Sequence, residues 1–250
     1  MQNPPRSLLE WLESPLGEYL LEREFAYLDG VVADLFGFNA IQIGLPEHDF
    51  LRASRIPLRC RLGSTGPVQL QCDPEFLPVA ANSVDVCLLP HALEFSAHPH
   101  QILREVQRVL VPEGHLIVTG FNPWSLWGIQ RVLKRGRDLH PWCGRFITLP
   151  RLKDWLALLG FEVAGGRMSC YAPPFGREQW LNRCRFMESA GDRWWPIAGG
   201  VYFLDAVKRV PGMRVITPKW NGRLIPNEAL ASATQQVARG RLRLVAKEQE

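Results

Sequence analysis

The chain has 250 residues, 46% hydrophobic and 22% charged, which excludes a disordered chain and leaves room for one packed α/β domain with insertions, or at most two small ones. The formal net charge of +4 permits an anionic partner but does not call for nucleic acid, which needs a concentrated basic face. Cys60, Cys72, Cys87, Cys143, Cys170 and Cys184 form no C-x-x-C pair and match no zinc spacing, so they read as reduced thiols of a cytoplasmic protein. No basic segment followed by an apolar run opens the chain, and no window approaches a membrane span, so neither a signal peptide nor a transmembrane helix is expected.

In chain order, Ser14-Pro15 predicts a helix cap followed by proline in the first turn. Apolar residues then recur at helical spacing from Leu16 to Phe36. Phe38 to Gly44 reads as a strand that ends in glycine, with a helical turn near Asp49 to Ala53. Ile56–Leu62 and Val68–Cys72 are the second and third strand candidates. Val84–Leu89 has the β-branched, apolar character of a buried parallel strand. A helix from Pro99 to Leu110, a turn at Pro112-Glu113-Gly114 and a strand from Leu116 to Thr119 complete a βαβ unit. Thr148-Leu149-Pro150 opens a helix to Leu159, and Phe161 starts a strand. A further helix is expected over Arg177–Ser189 and a last strand over Val201–Lys208.

The middle of this pattern carries a resemblance. Cys72-Asp73-Pro74-Glu75-Phe76-Leu77-Pro78 through Asn82-Ser83-Val84-Asp85-Val86, then His91-Ala92-Leu93-Glu94-Phe95, then Leu103-Arg104-Glu105 through Leu110-Val111-Pro112-Glu113-Gly114, resemble three consecutive segments of the class I S-adenosylmethionine-dependent methyltransferase family. Thr148 to Val163 resembles its later helix and strand start. The resemblance runs over about residues 39–163 and is closest to the small-molecule branch. It implies a Rossmann-like, doubly wound, mostly parallel seven-stranded sheet, with a helical insertion after the fifth strand. The expected domain is 1–217, with insertions about 122–147 and 168–200, and a partly flexible tail at 218–250.

The same resemblance implies S-adenosylmethionine as cofactor, held at the carboxyl ends of the strands. Asp73 stands where the family's third-strand acid binds adenine, with Pro74 beside the ring; a turn-initiating aspartate is the competing reading. Gly44 matches the first glycine of the family's loop, but Leu45-Pro46-Glu47 follows instead of more glycine, and Gln42 stands where an acid is usual. The second strand ends without the carboxylate that holds the ribose. Only 28 residues lie between Gly44 and Asp73, so a trimmed second strand and helix are expected, with Glu47 or Asp49 as substitutes for the missing acid. Leu89, Pro90 and His91 follow the fourth strand on the adenine and sulfonium side, and His91 is the one candidate for a catalytic base.

Rival readings use the same residues. His91, Glu94, His98 and His100 are close in sequence, yet Pro99 interrupts their helix and no HExxH is present, which argues against zinc. Asn122-Pro123 reads as a helix start. The mixed aromatic and basic run from Trp124 to Arg137 reads as a lid over the cleft, its charges solvated, in preference to a membrane-surface helix. Trp194-Trp195 fits either an acceptor pocket or an extra packed layer. The function implied is methyl transfer from S-adenosylmethionine to a small-molecule acceptor. The eroded first loop leaves open a non-catalytic binding or regulatory module built on the same fold.

Overall fold

The computed structural model describes residues 7–134, 140–174 and 197–210, with 181, 183–184, 187–188, 191, 193 and 195 among those between. The expected tail at 218–250 and most of the expected helix over Arg177–Ser189 lie outside the described residues. Helices α1 (Leu8–Leu12) and α2 (Pro15–Ala33) precede the sheet. Ser14 caps α2 as its spacing predicts: its Oγ accepts from the Gly17 N–H at 3.2 Å, with Pro15 in the first turn. The inward row of α2 is Leu16, Leu20, Leu28 and Val32, four residues apart except where Glu24 interrupts it, and Glu24 is buried with them.

The strands are β1 (Asn39–Ile43), β2 (Leu58–Gly63), β3 (Leu70–Gln71), β4 (Val84–Pro90), β5 (Leu110–Phe121), β6 (Phe161–Ser169) and β7 (Val201–Lys208). Helices α3 (Pro99–Val109), α4 (Leu126–Leu133) and α5 (Leu149–Leu158) connect them. All seven strands form one sheet in the order β3-β2-β1-β4-β5-β7-β6. Strands β1 to β5 pair in parallel, and β7 runs antiparallel to both of its neighbours. The expected turn at Pro112–Gly114 is an excursion within β5: Val84 pairs with Leu110 but Val86 pairs with His115.

Because side chains alternate across a strand, the sheet feeds two cores. Val86 and Leu88 of β4 pack toward α2 with Leu20, Leu28 and Phe121. Cys87 and Leu89 pack on the other face with Ile102, Leu103 and Val106 of α3 and Leu152 and Leu156 of α5. The parallel strands β4 and β5 are therefore buried on both faces, which accounts for their continuous apolar runs.

The trimming expected between Gly44 and Asp73 falls on the helices rather than on the second strand. Strand β2 keeps six residues and pairs along the whole of β1. Among the described residues no helix joins β1 to β2 or β2 to β3; the connections are turns. Gln42 organises the first of these. It is fully buried, and its amide nitrogen donates to the carbonyls of Gly44 and Leu45, both at 3.1 Å, and of His48 at 2.8 Å. Its Oε1 accepts from the Phe50 N–H at 3.0 Å. Arg61 of β2 holds the same loop from outside by donating to the Pro46 carbonyl at 2.8 Å. An acid at position 42 has no proton for three carbonyls at neutral pH. Gln42→Glu is therefore expected to cost about 3 kcal/mol or more in urea denaturation at neutral pH, a deficit that narrows in acid as the carboxyl regains its proton.

Candidate active site

The turns after β1, β2, β3 and β4 meet at the carboxyl edge of the sheet around a cavity of about 400 Å³. After β1, Gly44, Leu45 and Pro46 line it; after β2, Gly63, Ser64 and Thr65; after β3, Asp73, Pro74 and Glu75; after β4, Pro90, His91 and Ala92. The sequence expectation that the crevice lies at the strand ends is met by this placement. Gly44 is required by the backbone: its φ is +104°, and a Cβ there would stand 2.7 Å from the Pro90 carbonyl oxygen. The glycine thus lets the β1 turn lie against the β4 turn. Leu45 follows with φ of +44°.

Asp73 is exposed at the cavity wall. One carboxylate oxygen accepts from the Glu75 N–H at 2.9 Å, and the Asp73 carbonyl accepts from Phe76 N–H at 3.0 Å, so the residue builds the turn of the competing reading while also lining the cavity. Its second carboxylate oxygen has no partner among the described residues. No carboxylate follows β2; the hydroxyls of Ser64 and Thr65 occupy that wall. Glu47 is not among the lining residues and lies instead against Gly66, where an added Cβ would meet its Oε1 at 2.7 Å. Asp49 accepts from the Leu51 N–H at 3.0 Å within its own turn. Neither replaces the missing acid.

Two further expectations change. Leu89 is fully buried in the core formed with α3 and α5 and does not line the cavity, because Pro90 and Leu89 alternate across β4. His91 lines the cavity, but both ring nitrogens are committed. Nδ1 lies 2.8 Å from Glu94 Oε2 and Nε2 lies 2.7 Å from Glu24 Oε1, with all three side chains buried. Burial pushes the imidazole down, but the two carboxylates outweigh it and hold the ring protonated up to about 10. Burial likewise pushes the Glu94 carboxyl above the ordinary carboxylate range, against the pull of His91. Glu94 also accepts from the Phe121 N–H of β5, and the His91 ring lies 4.2 Å from the Phe121 ring centroid. A histidinium with no free nitrogen is a structural cation, not a base.

Sequence reasoning missed Glu24, and it singled out Gln42 without its loop-organising role. Each carried a signal: Glu24 breaks an otherwise apolar row on α2, and Gln42 is the polar position of an otherwise apolar strand.

The insertion after β5 contributes through its second half. His140 lines the cavity, whereas α4 does not. Among the described residues between Trp124 and Leu133 every exposed one is apolar, namely Trp124, Leu126, Ile129, Val132 and Leu133. The two described cations turn inward instead: Arg131 Nε donates to the Gly144 carbonyl at 2.7 Å, and Lys134 lies 5.1 Å from the Trp142 ring centroid. This inverts the lid expected with solvated charges. The cap of α4 is Ser125, whose Oγ accepts from Gly128 N–H at 3.2 Å, not Asn122. The Asn122 amide donates to the carbonyls of Ile197 at 2.8 Å and Gly199 at 2.9 Å. Trp194 lies outside the described residues, and Trp195 is exposed.

A seven-stranded sheet in this order, with a cavity at the ends of its first four strands, defines a class I, Rossmann-like methyltransferase fold. Comparison with known proteins agrees with that fold: residues 54–118 match the family described as Methyltransferase domain. A SAM-dependent methyltransferase of Thermotoga maritima, described as a possible histamine N-methyltransferase, superposes with a TM-score of 0.55 at 18% identity, over 76% of this chain and 93% of that one. The protein YafS of Escherichia coli (strain K12) is 38% identical over 155 residues, 61% of this chain and 65% of YafS, so the chain spans just under two thirds of that relative. The malonyl-[acyl-carrier protein] O-methyltransferase of Methylovorus sp. (strain MP688) is 35% identical over 91 residues, 36% of this chain and 30% of that protein.

The His91 cluster makes a pH-dependent prediction. A group whose pKa is raised from 6.5 to about 10 on folding contributes stability fully present below 6.5 and lost as pH rises through 10. His91→Asn keeps a residue tolerant of the φ of +49° found there. It is expected to cost about 3–5 kcal/mol by leaving buried carboxylates unpaired. Urea denaturation from pH 6 to 10 should show a decline in the wild type that is smaller in the variant.

Proposed function

We propose that the protein transfers a methyl group from S-adenosylmethionine to a small-molecule acceptor. The observation that carries this reading is the cavity at the ends of β1 to β4, whose lining includes both Gly44 and Asp73, the residues that the family resemblance assigns to the cofactor. Its volume of about 400 Å³ falls within the range of small-molecule sites, of order 300–1,000 Å³. The donor set suits a nucleoside better than a dinucleotide, since among the described residues no helix begins after β1 to receive a pyrophosphate. The free oxygen of Asp73 would accept from the adenine amine, with Pro74 against the ring. Ser64 and Thr65 would hydrogen-bond the ribose hydroxyls. The turn at Gly44 and Leu45 would lie along the amino-acid end. When bound, the cofactor supplies an electrophilic methyl group.

The protein's own part is alignment. Displacement at a methyl group needs a nucleophile held in line, and its rate depends more on positioning than on proton transfer. His91 contributes a rigid floor, and the acceptor's nucleophile must be one that needs no base from that side chain.

A second reading, a binding or regulatory module without turnover, is favoured by one observation: neutral hydroxyls replace the ribose carboxylate. Neutral hydrogen bonds are worth about 0.5–1.5 kcal/mol against about 1.5–3 for charged ones, so cofactor binding about tenfold weaker than with a carboxylate is expected. Calorimetry with S-adenosylmethionine and S-adenosylhomocysteine tests both readings. The transferase reading expects both to bind, Asp73→Ala to weaken them at least several-fold, and Ser64→Asp to tighten them. No binding at millimolar cofactor ends it. Binding without methyl transfer to any acceptor pool leaves the module.

A further inference from the structure

Next to the candidate cofactor cavity lies a second one of about 780 Å³, which shares Glu75 and Ala97 with it. We infer that this cavity receives the anionic group, a phosphate or a carboxylate, of the methyl acceptor. The inference rests on the transferase reading, because the cavity is assigned to the acceptor by its place beside the cofactor.

The lining supplies the argument. Arg104 of α3, Arg145 before α5 and Arg151 of α5 all face this one cavity, together with His98 and His100. Glu75 is the one acidic residue among the described lining. Among the described residues none of the three guanidinium groups makes a salt bridge or hydrogen bond; Arg151 lies over the Trp155 ring at 5.0 Å. Elsewhere the protein pairs its arginines readily. Arg108 lies 2.7 Å from Glu105, and Arg52 lies 2.5 Å from Asp29. Three exposed guanidinium groups lining one cavity give it a positive potential, which draws an anion. Guanidinium suits such a partner because its planar donors match two oxygens of a phosphate or carboxylate at once.

The flanking helices reinforce the sign without carrying the inference. Both α3 and α5 begin at this cavity with no side-chain cap and no acid in the first turn, so their first N–H groups add positive potential. Trp155, with the His100 ring 3.9 Å from its own, gives the wall an aromatic surface against which the acceptor's body can pack. The volume suits a small molecule rather than a folded partner. The acceptor is thus an amphiphilic or aromatic small molecule with a phosphate or carboxylate. Its nucleophilic atom reaches past Glu75 and Ala97 into the first cavity.

The test is calorimetry on the full chain at low salt, with inorganic pyrophosphate and with malonate, each with and without S-adenosylhomocysteine. At least one anion is expected to bind, and the preferred one tells phosphate from carboxylate. The variant Arg104→Ala/Arg145→Ala removes two side chains that hold nothing in the fold, so its melting temperature should match the wild type. It should lose at least about tenfold in anion affinity while its S-adenosylhomocysteine affinity stays the same. Absence of binding by both anions at millimolar concentration overturns the inference, and so does unchanged anion affinity in the variant. A single-stranded RNA oligomer that binds this wall while both anions fail also overturns it and assigns the surface to nucleic acid. If anions bind but S-adenosylhomocysteine does not, the anion site stands, while the transferase reading and the acceptor assignment fall.

Discussion

The buried histidinium at position 91 constrains everything around it. Its two carboxylates come from different places: Glu24 from the middle of α2, and Glu94 from the turn after β4, itself bonded to the backbone of β5. One cation therefore joins α2 to β4 and β5, in a region where lone charges are costly. The arrangement fixes how far α2 can slide, holds His91 at a positive φ, and sets the floor of the cavity. One oxygen of Glu24 remains buried without a partner among the described residues, so the cluster carries a polar cost that nearby packing must offset. The same commitment removes His91 from proton transfer.

The second constraint is the loss of both helices between β1 and β3. In an open α/β sheet the helix after the first strand places its N-terminal N–H groups and its dipole next to the ligand. Here the corresponding chain turns back on itself around the Gln42 amide, and the carbonyls of Gly44, Leu45 and His48 point to that amide. A glutamine donates where an acid can only accept, so the change at position 42 and the shortened loop belong together. The cavity loses a source of positive potential and is lined by turn backbone, two hydroxyls and Asp73.

Much of the fold was legible because it rests on periodicity and turn chemistry. Ser14-Pro15, the α3 stripe of Ile102, Leu103 and Val106, and the run at β7 lie where the pattern placed them. The βαβ unit and the residues resembling the methyltransferase family led to the mostly parallel seven-stranded sheet. The site was legible only in part. Gly44, Leu45, Asp73, Pro74, Pro90 and His91 do meet at one cavity. Leu89 does not, because a two-residue repeat decides which face a strand residue serves. The role of His91 was hidden because its partners are 67 and three positions away, and only tertiary packing brings Glu24 to it. The α4 helix was read with its charges outward because that is what a solvated helix usually does. Phe146 and Trp142 give Arg131 and Lys134 aromatic faces to lie on instead.

The two adjoining cavities differ in a way that bears on how such a site can work. The cofactor side is poor in charged anchors, whereas the second cavity carries three arginines with no acidic partner among the described residues. Binding energy gained far from the reacting atoms can offset the cost of aligning them. An acceptor gripped by its anionic end would be held against a cofactor that is itself held weakly, and the line of attack would be set from the acceptor side. On the proposed reading, that division of labour would let the fold discard the helix and the carboxylate that usually secure the nucleoside. It would also have acceptor and cofactor stabilise each other's binding, because the two cavities share the wall at Glu75 and Ala97.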